Sequence, residues 1–194
     1  MKNLRHYVLL AGGLLLAGVS FFSQAAEFNR VLADQSTLTF AYKQMGVPME
    51  GKFRKFSARI AFDPSKATDA SAQLEVDLAS IDTGFSDGDK EVLGKQWFNA
   101  STYPAARFVS TSVKRQIGSH YEVAGKLTLK GKTQNVSAPF SFRRDGTKGI
   151  FDGAFTLKRL DYAIGEGAWA DVSAVANEIQ IRFHIVADAA PAGK

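Results

Sequence analysis

Cysteine is absent from all 194 residues, which excludes a disulfide framework, a thiolate nucleophile and sulfur ligation of a metal. Histidine is nearly as scarce, with only His6, His120 and His184 in the chain. The last two lie on separate runs, so no pair of imidazole ligands at helical or hairpin spacing can be assembled. No apolar run is long enough to cross a bilayer: the longest, Val8 to Phe22, has fifteen residues, against the roughly 20 that a spanning helix needs. Nor is there a concentration of one charge. Lys and Arg number 24 against 19 Asp and Glu, and they alternate with apolar residues instead of forming the basic patch of a nucleic-acid reader.

What the first residues do have is the pattern of an export signal. Lys2 and Arg5 precede the apolar run, and Ser23 and Ala25 place small residues at both positions that a signal peptidase inspects. Residues 1–25 are therefore expected to be a signal peptide, cleaved after Ala25, and the mature protein is expected in the periplasm. The mature chain then carries a net charge near +3. Residues 26–187 are long enough for one domain with its own core. Residues 188–194, rich in Ala with Pro191 and Gly193, are expected to be a disordered tail.

Apolar residues recur at every second position almost from end to end, the period of a sheet with one buried face. Leu38, Phe40 and Tyr42 form one such set, and Phe56, Ala58, Ile60 and Phe62 the next. Others are Leu74, Val76 and Leu78; Ala106, Phe108, Ser110 and Ser112; and Tyr121, Val123, Gly125, Leu127 and Leu129. Phe140 with Phe142, then Phe151, Phe155 and Leu157, and finally Ile179, Ile181, Phe183 and Ile185 complete eight strands. Turn residues separate them, with a tight hairpin expected at Gly131 and Lys132 and another turn around Asp145 and Gly146. Strands joined this way are antiparallel. Their apolar faces can be buried only against one another, so the expected fold is all-β, an eight-stranded antiparallel up-and-down barrel, with a two-sheet sandwich as the alternative.

One segment, Asp87 to Phe98, has helical character: Leu93 and Trp97 are spaced i, i+4 and are expected to face the barrel, with Ser86 or Asp87 as N-cap. The stretch from Tyr162 to Asn177 is irregular and reads as a second excursion across the barrel mouth. Around the helix start, Gly84 to Gly88 spell GxSxG, which resembles a hydrolase nucleophile elbow. That elbow belongs to a parallel sheet with alternating helices, which this pattern lacks. A calcium loop fails on spacing: with Gly88 as the sixth position, the first, third and twelfth fall on Thr83, Phe85 and Gly94. No catalytic residue and no metal ligand is assigned; an esterase using Ser86 is the least favoured reading.

The inward face carries unusually many phenylalanines, fifteen in the whole chain. They interleave with Ala58, Ala72, Ala106, Gly125, Ala138 and Gly153. An eight-stranded barrel can be filled by its own side chains or can hold one slender ligand, and alternating sizes fit either. The candidate apolar lining is Phe40, Phe56, Phe62, Trp97, Phe98, Phe108, Leu127, Phe140, Phe142, Phe155, Tyr162 and Trp169.

Several stretches, in order, are similar to the YceI family of periplasmic polyisoprenoid-binding proteins with a lipocalin-like barrel. They are "GKFRKFSARIAFD" from Gly51, "SIDTG" from Ser80, "WFNASTYPAARFVSTSV" from Trp97, "GKLTLKGKTQNVSAPFSF" from Gly125 and "NEIQI" from Asn177. The resemblance covers essentially all of the mature chain. It implies a non-enzymatic carrier enclosing a long-chain isoprenoid, a quinone or polyprenyl lipid, or another amphiphile, with no other cofactor. Many members have Arg before the Asp at position 89 and His two residues after it. Gly88 and Glu91 stand there in this chain, so the resemblance carries no head-group role onto them. The segment Arg159 to Ile179 is similar to a branch associated with cytochrome b561-type membrane proteins, which implies such a partner. A protein sequestering diverse apolar compounds is the other reading of the same lining, and a homodimer stays among the open oligomeric arrangements.

Overall fold

The computed structural model describes residues 27–190; the expected signal peptide and the last four residues of the expected tail lie outside them. Eleven strands form one curled antiparallel sheet. They are β1 (Phe28–Val31), β2 (Thr37–Gln44), β3 (Val47–Phe53), β4 (Phe56–Ala61), β5 (Ser71–Asp77) and β6 (Ile81–Asp82), then, after helix α1 (Ser86–Leu93), β7 (Ala105–Arg115), β8 (His120–Leu129), β9 (Lys132–Asp145), β10 (Lys148–Lys158) and β11 (Glu178–Ala189). Around the sheet the order is β4, β5, β7, β8, β9, β10, β11, β2, β3 and β6, with β1 on β11.

Closure into a barrel comes from the chain itself. β3 pairs with β2 and β4 pairs with β5, and only Arg54 and Lys55 separate them, so one bent strand joins the two ends of the sheet. At one end of the barrel β1 completes the seam. It pairs with β11, and Phe28 and Phe62 exchange backbone hydrogen bonds of 2.9 and 3.1 Å with each other. Few backbone groups are thus left on an open edge.

Eight strands were expected and eleven are present. The three additions are short or interrupted: β1 and β6 have four and two residues, and β3 contains Pro48 and Gly51, which break the apolar alternation. The β8–β9 hairpin turns at Lys130 and Gly131, both with positive φ, one residue earlier than expected and with the left-handed pair that suits a two-residue hairpin. Ser112 also differs from expectation. A bulge between Ser110 and Ser112 shifts the alternation by one, so Val113, not Ser112, is the next buried residue of β7. Asp188 and Ala189 pair with β1 and belong to β11, not to the tail.

Two apolar clusters fill the ends of the barrel. Phe28, Phe62, Tyr121, Phe140, Phe142 and Phe151 form an aromatic floor, in which the Phe62 ring lies edge-on to Tyr121 and Phe151 at 5.2 and 5.1 Å. Such edge-to-face contacts add to plain area burial. The other cluster, with Leu78, Trp97, Leu129, Leu157, Tyr162 and Ile164, lies under a cap made of α1, the chain following it and the 159–177 excursion.

Candidate functional site

Between floor and cap the barrel encloses a cavity of about 530 Å³, within the range of small-molecule sites. Its wall comes from the inward positions of nearly every strand, including Leu38, Phe40, Leu74, Val76, Ile181 and Phe183. The lumen stays hollow because aromatic rings lie along the wall, over glycines of neighbouring strands. A Cβ on Gly51 would stand 2.3 Å from Cζ of Phe40, one on Gly125 2.5 Å from Cε2 of Phe108, and one on Gly153 2.3 Å from Cζ of Phe183. Phe40 and Gly51, and Phe183 and Gly153, are direct cross-strand partners; Phe108 reaches Gly125 diagonally. A side chain at any of these glycines would push a ring toward the lumen.

Of the twelve lining residues expected from the pattern, nine meet in this wall: Phe40, Phe62, Trp97, Phe98, Phe108, Leu127, Phe140, Phe155 and Trp169. Three do not. Phe142 is in phase with Phe140 but two residues farther along β9, where its ring packs against Phe28 deep in the floor and does not reach the cavity. Phe56 lies beside the bend at Arg54 and Lys55 and packs, half-buried, between the two clusters. Tyr162 is buried behind the wall, in the cluster beneath the cap.

Helix α1 presents Asp87, Gly88, Glu91 and Val92 to the cavity, not Leu93, a difference of one helical position. Its N-cap residue is Phe85, without a side-chain cap. The polar turn is held from inside the helix instead: both the backbone N and Oγ1 of Thr83 donate to Asp89 Oδ1 at 2.7 Å. The Phe85 ring lies over Gly88, 2.5 Å from where a Cβ would be, so a larger residue there would displace that ring. Exposed Phe85, Asp87 and Glu91 belong to the wall together with half-buried Gln44, so the cavity reaches solvent beside α1. Burial raises the Tyr42 phenol above its ordinary pKa, and the Asp89 carboxylate adds to the effect.

The cap is organised by one residue that the pattern did not single out for a role. Arg159 is 1% exposed and donates all five of its N–H groups to backbone carbonyls. Nε donates to Ala176 O (3.1 Å), Nη1 to Ile164 O and Gly165 O (2.9 and 3.1 Å), and Nη2 to Trp169 O and Val175 O (2.7 Å each). Burial lowers its pKa from the ordinary value, yet a guanidinium remains charged. Its face lies 5.5 Å from the centre of the Trp97 ring, a cation–π contact. Two further ties fix the excursion: Gln96 O accepts from the backbone N of Gly165 and of Glu166 (2.8 Å each), and Lys130 Nζ donates to Ala163 O and Glu166 Oε2.

Two buried side-chain polar atoms have no hydrogen-bond partner among the described residues, Trp97 Nε1 and Tyr162 Oη. For Tyr162 the consequence is a pH effect. Burial, with Asp161 nearby, pushes its phenol up to about 12. The folded-state pKa is raised, so stability is fully present below pH 10 and falls as the unfolded chain ionises between about pH 10 and 12. Tyr162→Phe is expected to remove that part of the alkaline loss. It should also raise stability at neutral pH by about 1 kcal/mol, because it deletes an unsatisfied hydroxyl. Ultraviolet titration with urea unfolding at pH 8 and pH 11 measures both, and an unchanged alkaline slope in the variant would contradict the assignment.

The hydrolase reading gains no geometry. Ser86 is exposed at the first position of α1, and its hydroxyl makes no hydrogen bond among the described residues. His184 bonds to Asp152 at 2.5 Å on the outer face, and His120 starts β8 opposite Ser141.

Residues 30–187 match the YceI-like domain. A UPF0312 protein of Photorhabdus laumondii is 34% identical over 130 residues, 66% of each chain. One from Vibrio cholerae is 27% identical over 176 residues, 84% of this chain and 93% of that protein. Among solved structures, BcnA of Burkholderia cenocepacia is 46% identical with a TM-score of 0.79, covering 80% of this chain and 98% of BcnA. A polyisoprenoid binding domain from Saccharophagus degradans shares the fold at 18% identity, with a TM-score of 0.62 over 86% of this chain and 100% of that one. With the family match running from β1 to β11 and the barrel and its apolar lumen in place, the chain belongs to the YceI-like family.

Proposed function

We propose that this protein is a periplasmic carrier that encloses the tail of an isoprenoid quinone, a polyprenyl lipid or a similar long amphiphile in the barrel lumen, without catalysing a reaction on it. The observation that carries the reading is the hollow, hydrocarbon-walled cavity of about 530 Å³ held open by rings seated over glycines. Each methylene buried there contributes roughly 0.8 kcal/mol before the costs of binding, so a tail can be held firmly with few polar contacts. The polyisoprenoid binding domain from Saccharophagus degradans has the same fold, which supports an apolar lipid as the ligand class. In this reading residues 1–25 direct export, and the partner is a membrane protein of the cytochrome b561 type, as the resemblance of the segment Arg159 to Ile179 implies.

Organic extraction of the purified protein, followed by mass spectrometry, tests carriage. About one isoprenoid per barrel is expected, and stripped protein should take up added quinone. A barrel that yields no lipid and takes up no quinone would sink the reading. Equal uptake of unrelated apolar compounds would favour general sequestration instead.

A further inference from the structure

The inward face of β2 runs from the wall to the mouth in three steps. Phe40 is buried, Tyr42 and Gln44 are half-buried, and all three belong to the cavity wall. The Tyr42 hydroxyl has no hydrogen-bond partner among the described residues, and it is not sealed as Trp97 Nε1 and Tyr162 Oη are. Those two atoms have almost no accessible surface, so they are closed to the lumen as well as to solvent. Other polar groups of the wall are committed within the fold. The Thr83 hydroxyl is bonded to Asp89, and Arg159 spends every N–H on a backbone carbonyl. Tyr42 therefore brings a free donor to the mouth, with the uncharged Gln44 amide beside it.

The charges around that donor are of one sign. Helix α1 brings Asp87 and Glu91 into the wall, and the Asp89 carboxylate adds to the effect of burial on the Tyr42 phenol, which keeps its proton at neutral pH. Of these three carboxylates only Asp87 has an ion-pair partner among the described residues, Lys90 at 3.5 Å. Both of those side chains are largely exposed, so the pair neutralises little. Apart from Arg159, no lysine or arginine among the described residues belongs to the wall. A diphosphate head would meet carboxylates there, and would leave water without the several donors that its charges need. An uncharged head with an acceptor oxygen would meet a hydroxyl that has none.

We infer that Tyr42 is the head-group residue of the mouth: its phenol donates a hydrogen bond to an oxygen of an uncharged head, of the quinone class, while Asp87 and Glu91 turn away anionic heads. The inference rests on the carrier reading and specifies which of its ligands is preferred. Head-group choice is then made beside α1, while the strands set tail fit.

Stripped wild-type protein, Tyr42→Phe and the double variant Asp87→Asn with Glu91→Gln are titrated with three tail-matched probes: a tetraprenyl benzoquinone, the tetraprenyl hydrocarbon without oxygen, and tetraprenyl diphosphate. Wild type is expected to bind the quinone tightest and the diphosphate weakest. Tyr42→Phe should lose about fivefold for the quinone, the worth of one hydrogen bond, and keep its affinity for the hydrocarbon within about twofold. It removes only a hydroxyl that bonds to nothing in the fold, so it should melt within about 2 °C of wild type. The double variant should bind the diphosphate about tenfold more tightly than wild type does, with quinone affinity unchanged within about twofold. Its two positions are exposed on α1, and Asp89, which holds Thr83, stays in place. A Tyr42→Phe variant that binds the quinone as wild type does, or that loses quinone and hydrocarbon alike, overturns the assignment while leaving carriage intact. So does a wild type that prefers the diphosphate, or a double variant that binds the diphosphate no better. Failure of wild type to bind any of the three overturns carriage, and the head-group assignment with it.

Discussion

Replacing Arg159 by leucine is expected to lower the unfolding midpoint by about 10 °C, the largest stability loss of any single change to the cap. Leucine fills part of the volume but offers nothing to the five carbonyls of Ile164, Gly165, Trp169, Val175 and Ala176 that now accept from the guanidinium. Carbonyls that stay buried without a donor are unfavourable by about 1–3 kcal/mol each, and those near the surface recover water. The net is about 4 kcal/mol, in line with the breaking of other buried charged networks. For a domain of this size each kcal/mol moves the midpoint by roughly 2–4 °C. Arg159→Lys keeps the charge but has three donors on a single nitrogen, which cannot span carbonyls on both sides of the excursion. It should recover less than half of the loss. Gly165→Ala tests the same cradle from the other side, since its Cβ would lie 2.1 Å from Arg159 Nη1 at a φ of +78°. Thermal unfolding by circular dichroism measures all three, and a leucine variant that melts within about 2 °C of wild type would show that the cradle is not what holds the cap.

The prominence of Arg159 also shows where pattern reading reaches its limit. In "LKRLDYAIG" an arginine next to a lysine looks like a solvated strand end, and nothing local says that the chain will return at 164–176 to enclose it. The same holds for Tyr162, which looks like a wall residue and is sealed behind it. Alternation identified the inward faces of β2, β7, β8, β10 and β11 because period two is a property of consecutive residues. It could not give depth along the barrel. Phe140 and Phe142 have identical phase and both belong to the floor, yet only the Phe140 ring reaches the cavity, a difference of depth that period two does not carry. Helix α1 shows the equivalent limit: the choice between Val92 and Leu93 is one step of about 100° around the axis, finer than a single apolar pair can resolve.

Hollow or filled was likewise undecided by residue size. Small and large residues interleave in either case; what matters is which small residue lies beneath which ring. Phe40 over Gly51 and Phe183 over Gly153 are cross-strand relations, so they depend on register. Once the register is known, the glycines explain why the lumen can contain a ligand-sized space in a chain so rich in phenylalanine.

That explanation makes the second large effect specific. Ala138→Phe, on β9, and Ala58→Phe, on β4, each add a ring to the lumen wall at positions that now carry only a methyl group. A ring takes the space of about five methylenes, so a tail that fills the lumen loses up to about 4 kcal/mol of burial, a ceiling near a thousandfold in affinity. Because a flexible tail can reroute, the expected loss is about 100-fold for a long prenyl quinone and close to none for a short-tailed one. Stability should move the other way, by about +0.5 to +2 kcal/mol, since filling a cavity buries new apolar surface without exposing old. This opposite movement separates occlusion from damage: a variant that merely unfolds loses long and short ligands together and melts earlier. Titrating both variants with quinones of increasing tail length, alongside their melting curves, measures it. If long-tailed quinones still bind normally to two stably folded variants with narrowed lumens, the tail does not occupy the space between cap and floor.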